Sequence, residues 1–303
     1  MKLIMLKSDN ALNKWMSGIA YEIAFWNNVY RWRHTFRGMM NWSGFGEGIQ
    51  LEGFDANSFL CSSKDRKVLD VGCGMSYATG NYVIDGDSTI PLDIHYVDPL
   101  APYFNHILER YHRELPVIEF GMMEYLSAFY PHHDVDLVII QNALDHSANP
   151  IKGIIEALDT LHEGGILYLN HHPNEAEVEQ YKGFHQYNIT QEDGNLMIWN
   201  KQEKWNVSHL IKAFADTQVH SHDNGHIIAV IQKTDHVPST LLNDKEDKKM
   251  LSQMLMASDM KRKKLSSAIG YRLSYWKYNT IQFFVQALPW TMKMKLKKLI
   301  GQA

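Results

Sequence analysis

Lys67-Val68-Leu69-Asp70-Val71-Gly72-Cys73-Gly74 is the stretch whose reading decides the fold. Val68, Leu69 and Val71 form a short apolar run of the kind that is covered on both faces of a parallel sheet. Gly72 and Gly74 give the chain a tight exit from that strand and remove the Cβ atoms that would hold a ligand off the backbone. Asp70 stands near the C-terminal edge of the strand, where open α/β sheets bind their ligands. Together these residues predict a nucleotide-like cofactor site. Cys73, inside the turn, reads as a small packing residue.

Charge narrows the cofactor. A dinucleotide loop wants a third glycine and a helix N-terminus open to pyrophosphate. Here Ser76 stands at the third position, and an acid precedes the turn and would repel phosphate. An acid there suits a cationic amino-acid ligand, whose ammonium it can bind. Further along, Ile94-His95-Tyr96-Val97-Asp98 reads as a second strand ending in an acid, followed by Pro99. A carboxylate at that place can accept from two ribose hydroxyls. A helix over Ala101 to Leu115 and a short strand over Val117 to Phe120 follow, then Gly121-Met122-Met123-Glu124. The two thioethers could sandwich a purine or could be plain core, and their chemistry allows either. Val135 to Gln141 is the clearest strand, Ile151 to Leu161 carries apolar residues at helical spacing, and Ile166 to Asn170 gives a fifth strand.

Acid, glycine, any residue, glycine at Asp70 to Gly74, the acid Asp98, the run Asp136 to His146 (DLVIIQNALDH) and the later Leu161 to Leu169 (LHEGGILYL) resemble the ordered motifs of class I S-adenosylmethionine-dependent methyltransferases, methyltransferase-11/23-like. The resemblance implies an α/β fold: a Rossmann-like seven-stranded sheet with helices on both faces. It implies S-adenosyl-L-methionine as cofactor, with contacts at Asp70, Gly72, Cys73, Gly74, Asp98, Pro99, Met122, Met123 and Gln141. One departure stands out: Asp70 and Asp98 lie 28 positions apart, against roughly 20 for a turn and its ribose acid. The excess falls in Ile84 to Pro91, whose turn chemistry predicts a loop insertion and a short helix after the glycine turn.

The 303 residues divide into an aromatic helical N-terminal cap (1–60), the methyltransferase domain (61–233) and a linker with a basic helical tail (234–303). Within the domain, a strand insert at Asn195 to Trp199 and a terminal hairpin turning at Asn224-Gly225 are expected. The cap carries Trp15, Tyr21, Phe25, Trp26 and Tyr30, then a glycine-rich loop from Asn41 to Gly48. It reads either as a lid over the cofactor or as a helix docked on the sheet. Two cysteines support neither a disulfide framework nor a Cys-based zinc site. The apolar start is short for a signal peptide, and no stretch reaches the roughly 18 apolar residues of a spanning helix. The expectation is a cytoplasmic protein, with a peripheral place at the inner face of the membrane left open.

The formal charge of −4 is unevenly spread. His236 to Ala303 holds 13 Lys and Arg against 4 Asp and Glu, leaving 17 against 30 in the first 235 residues. Such a tail suggests an anionic partner. Lys261-Arg262-Lys263-Lys264, the aromatics from Tyr271 to Trp290 and the Lys-rich end suit an anionic membrane surface, single-stranded RNA, or a helical hairpin packed on the body or on a second copy of the chain. A homo-oligomer therefore stays open.

Methyl transfer to a hydroxyl needs an oriented acceptor and a base. His146, His171 and His185 are the candidates, placed in loops after the fourth and fifth strands. Adjacent residues on a strand point apart, so Asp145 and His146 need not form a dyad. A metal held by His171, Glu175 and His185 is disfavoured by Pro173, and no metal is expected. Gln141-Asn142-Ala143-Leu144 replaces the Asn-Pro-Pro-Tyr-like signature of many amine methylators of nucleic-acid bases. A hydroxyl of a sugar, glycolipid or other small molecule is the expected acceptor, with RNA methylation and a non-catalytic S-adenosylmethionine-binding module as alternatives. The overall pattern, especially the stretch Glu175 to Asn188 with YKGFHQYN, resembles bacterial methyltransferases of surface-polysaccharide pathways.

Overall fold

The computed structural model describes residues 8–222, 225–242, 247–258, 265–289, 291–293 and 295. Residues 1–7, Asn224 of the hairpin turn, the cluster Lys261-Arg262-Lys263-Lys264, Trp290, Met294 and the last residues from Leu296 lie outside them. The chain opens with α1 (Ser8–Arg31), α2 (Arg33–Met40) and α3 (Ala56–Ser62). Strand β1 (Lys67–Val71) leads into the glycine turn, and β2 (Tyr82–Asp85) and β3 (Ser88–Pro91) form a separate hairpin. Next come β4 (Asp93–Asp98), α4 (Ala101–Arg110), β5 (Glu119–Phe120), α5 (Leu126–Phe129), β6 (Val135–Gln141), α6 (Pro150–Thr160) and β7 (Leu161–His171). The remainder is α7 (Glu175–Val178), β8 (Asn188–Glu192), β9 (Asn195–Trp199), β10 (Lys204–Asn206), α8 (Val207–Ile211), β11 (Ala215–Ser221) and β12 (Ile227–Lys233). Helices α9 (Ser239–Leu242), α10 (Asp247–Ser258) and α11 (Leu265–Ala287) follow.

Seven strands form one sheet in the order β11-β12-β7-β6-β1-β4-β5. Its five inner-to-edge strands from β5 to β7 are parallel, while β12 runs antiparallel to β7 and β11 antiparallel to β12. This is the expected α/β, Rossmann-like sheet. The chain first builds outward from β1 through β4 and β5, then returns to the other side of β1 with β6 and β7. The carboxyl ends of β1, β4 and β6 therefore frame the switch point at which open sheets bind ligands. Every residue of β6 but Gln141 is buried, which is why that strand reads as one apolar run. α6 packs beside it, starting at Pro150 with the Asn149 side chain accepting from the Lys152 N–H at 3.1 Å.

Three expectations change. Ile84 to Pro91 is not a loop: it lies within the β2–β3 hairpin, turning at Gly86, whose φ is +56°. Among the described residues no helix follows the glycine turn; 72–81 is irregular. Helix α4 stops at Arg110 instead of Leu115, and β5 keeps only two residues, with Val117 exposed.

The space left by the missing helix is filled from the N-terminus. Trp15, Ile19, Ile23 and Tyr30 of α1 are buried in one cluster with Met75, Tyr77 and Phe104, and Tyr30 Oη donates to the Met75 carbonyl at 2.8 Å. The Asn41 to Gly48 loop is held to 77–82 by backbone bonds, such as Gly44 N–H to Tyr77 O at 2.9 Å. α10 and α11 pack against α1 in turn, so this helix ties the two ends of the chain to the sheet. Ile140, at the centre of the sheet and fully buried, measures how tightly that core is packed. Replacing it by alanine should cost about 2–5 kcal/mol, read as a shift of the urea unfolding midpoint.

Candidate active site

A cavity of about 470 Å³ opens at the switch point. Its floor is Gly72-Cys73-Gly74 after β1, Asp98-Pro99-Leu100 after β4 and Gln141-Asn142-Ala143 after β6. Gly72 and Gly74 have φ of +69° and +54°, which side chains rarely adopt. A Cβ on Gly72 would stand 2.6 Å from Ala143 Cβ, and one on Gly74 would stand 2.9 Å from the Trp26 ring. Both glycines are therefore fixed by space as well as by backbone conformation.

Asp98 ties this floor together. Its Oδ2 accepts from the Gly74 N–H at 3.1 Å and its Oδ1 from the Leu100 N–H at 2.7 Å. Burial raises its pKa to about 7, against the pull of those two bonds. Each oxygen keeps a lone pair for a further donor, which is what a ribose diol requires. Asp70 sits behind the turn instead of facing the cavity: it accepts from Thr79 Oγ1 at 2.8 Å, and burial raises its pKa to about 6. The methionines divide. Met123 lines the cavity against Gly72, whereas Met122 is wholly buried in the cluster beneath α1. The side chains diverge because Met122 is still extended while Met123 begins a helical turn, so the pair does not form a sandwich.

The opposite wall comes from α1, the segment after α7 and the loop after β6. Trp15, Glu22 and Trp26 share one side of α1, and the Trp26 ring N–H donates to Glu22 at 2.7 Å. Phe184 stacks on Trp15 with ring centres 6.1 Å apart and lies 5.7 Å from the His146 ring. The sequence signal for these residues was present, since positions 15, 22 and 26 repeat at helical spacing. The other aromatics of α1 obscured it.

Asp145, His146 and His185 meet at the cavity edge. His185 Nδ1 lies 2.7 Å from Asp145 Oδ2, and His146 Nε2 lies 3.2 Å from His185 Nδ1 and 3.4 Å from the same oxygen. Leu144 to His146 forms a 3-10 turn, not a strand, so neighbouring side chains converge. Burial alone would lower the His185 pKa, but the hydrogen bond and charge of Asp145, then Glu175 and Glu179, raise it. Burial would raise Asp145, yet His146, His185 and His171 hold it below the usual carboxylate range. His171 does not reach the cavity. It is 1% exposed, neither ring nitrogen has a hydrogen-bond partner among the described residues, and burial lowers its pKa to about 4. The grouping of His171, Glu175 and His185, disfavoured on sequence, is not formed; His185 joins Asp145 and His146 instead. The ligand-type atoms of this trio lie within 4.8 Å of one another, a span that one divalent cation could bridge.

Among the described residues lining the cavity there is no Lys or Arg, while Glu22, Asp98, Glu124 and Glu175 all contribute. That electrostatic balance fits a cation and repels pyrophosphate. It suits the sulfonium and ammonium charges of S-adenosylmethionine and disfavours a dinucleotide.

Residues 69–169 match the family described as Methyltransferase domain. No curated protein sequence matches the chain. Similar solved structures include the PH0226 protein from Pyrococcus horikoshii (15% identity, 56% of this chain and 83% of that one, TM-score 0.35). Others are the T. thermophilus 16S rRNA N2 G1207 methyltransferase in complex with AdoMet and guanosine (13%, 63% and 42%, TM-score 0.34) and an O-methyltransferase family protein from Burkholderia thailandensis (10%, 58% and 53%, TM-score 0.35). With that domain and this cavity, the chain is an S-adenosylmethionine-dependent methyltransferase.

Asp98→Asn should weaken S-adenosylmethionine binding by roughly 1.5–3 kcal/mol for each charge-assisted bond lost, read by calorimetry. For Asp98 with its pKa near 7, protonation on acidification removes acceptor capacity. Affinity of the unaltered protein should then fall by up to about tenfold per pH unit below that value, a slope that Asp98→Asn should flatten.

Proposed function

We propose that this methyltransferase O-methylates a neutral hydroxyl of a sugar, glycolipid or other small molecule, with His185 as the base. The observation that carries the reading is the His185–Asp145 pair facing an acidic cavity that holds no Lys or Arg among its described lining residues. S-adenosylmethionine, when bound, supplies an electrophilic methyl group on a sulfonium centre. Asp145 accepts from His185 Nδ1–H, which fixes the tautomer and leaves Nε2 to take the acceptor's proton. Imidazolium formed at His185 is stabilised by the same carboxylate and by Glu175 nearby. Asp145 Oδ1 has no hydrogen-bond partner among the described residues, so the carboxylate keeps an acceptor free beyond its bond to His185. Phe184 and Trp15 give the acceptor end an apolar, stackable wall of the kind sugar rings pack against.

RNA as acceptor is disfavoured by the lack of Lys or Arg among the described residues lining the cavity, where phosphate would have to be met. A place in a bacterial surface-polysaccharide pathway would follow from a glycan acceptor and rests on the YKGFHQYN resemblance alone. The trio Asp145, His146 and His185 supports a second reading, in which a divalent cation binds and activates the hydroxyl.

The test is transfer of an isotopically labelled methyl group to a panel of sugars, glycolipids and simple alcohols, with RNA alongside. We expect an alkali-stable methyl ether from a hydroxyl acceptor; transfer to RNA alone would overturn the proposal. His185→Ala should lower kcat by about 10²–10⁴-fold with cofactor affinity unchanged, and His146→Ala should cost less. Because the His185 pKa is raised and the base must be neutral, kcat should fall on acidification with a midpoint above the ordinary histidine value of about 6.5. Treatment with EDTA should leave the rate unchanged; a loss restored by a divalent cation would favour the metal reading.

A further inference from the structure

Helix α11 carries large apolar side chains on its outer side. The side it lays on α1 mixes polar and aromatic groups: Asn279 accepts from Asn27 and Asn28 at 3.0 and 2.9 Å, Gln282 and Gln286 are buried beside it, and Phe283 packs on Trp32. The side it shows outward is apolar. Ile269, Leu273, Trp276, Ile281 and Phe284 recur every three to five residues, and Leu273, Trp276 and Phe284 are 66%, 72% and 64% exposed. A surface helix of a globular protein carries polar residues on that outer side. Its own fold supplies no cover for this stripe among the described residues, and a contiguous exposed apolar strip marks an interaction surface.

Charge identifies what would cover it. Residues 260–303 contain 10 Lys and Arg and no Asp or Glu. Arg272 and Lys277 are exposed on α11 itself, with Lys277 among the apolar side chains. A second copy docked through the same face would bring two such segments together against strong repulsion. RNA would meet the charge but leave Ile269, Leu273 and Ile281 with nothing to stack on. A bilayer with anionic headgroups satisfies both features: acyl chains take the apolar stripe and headgroups take the lysines, whose stems can reach outward from the apolar layer. No helix among the described residues is long and apolar enough to cross a membrane, so α11 would lie in the interface.

We propose that α11 docks this protein on an anionic lipid surface through the stripe Ile269–Phe284. Docking would bring the cavity close to the lipid, because Tyr21 of α1 lines the cavity and meets Tyr278 of α11 edge-on at 5.5 Å. A lipid-linked hydroxyl acceptor would then be presented where it is used; that consequence rests on the function proposed above, whereas docking itself does not.

The test is co-sedimentation of the full chain with vesicles of phosphatidylcholine containing phosphatidylglycerol, against phosphatidylcholine alone. The protein should bind the anionic vesicles and release as salt rises. The triple substitution Leu273→Ser, Trp276→Ser, Phe284→Ser should weaken binding by at least about tenfold with S-adenosylmethionine affinity intact, which also verifies folding. Arg272→Glu with Lys277→Glu should weaken it separately. Absence of binding to anionic vesicles, or equal binding by the triple variant, would overturn the proposal. So would a wild-type dimer that the triple variant dissociates, or retention of RNA without retention of vesicles. Because vesicle binding needs no acceptor or turnover, its failure would leave the hydroxyl assignment standing, and failure of the acceptor screen would leave docking standing.

Discussion

The buried carboxylate of Asp98 joins two loops that follow adjacent parallel strands, accepting from Gly74 after β1 and from Leu100 after β4. With no helix after the glycine turn among the described residues, that turn lacks the support of a first helical turn. Asp98 supplies part of it, and α1 supplies the rest by placing Trp26 against Gly74. The floor of the cavity is thus held by a side chain that also lines it, with lone pairs free for a ribose diol. Its raised pKa has a plain cause: burial disfavours the charge more than the two N–H groups favour it.

The cavity above this floor is electrostatically one-sided. Four carboxylates and no Lys or Arg among the described lining residues make it a receptor for positive charge. Cationic side chains are instead concentrated in the C-terminal segment, beyond the sheet. The separation is what the two proposals draw on: a cationic cofactor with a neutral acceptor for the body, and an anionic surface for the end of the chain. α1 connects them, one side lining the cavity and another receiving α11.

Much of the sheet was legible because its strands are buried on both faces and need no partner to be recognised. Val135 to Gln141 agrees residue for residue. The β2–β3 hairpin was less so: Gly86 announced a turn, but the flanking residues are largely exposed and lack the alternation that marks a half-buried strand. The active-site edge was legible only as a set of candidates. His185 and Asp145 lie 40 positions apart, and their 2.7 Å contact is made by tertiary packing that no spacing encodes. His171 shows the converse, since its place at the end of β7 looked like an active-site loop while pairing with β12 buries it.

The most direct test of this account is calorimetric titration of the purified protein with S-adenosylmethionine and, in parallel, with NAD. An acidic floor without Lys or Arg predicts binding of the former with a Kd on the order of micromolar and no detectable binding of the latter. Binding of NAD, or of neither compound, would contradict the cofactor assignment on which the chemistry of the cavity is built.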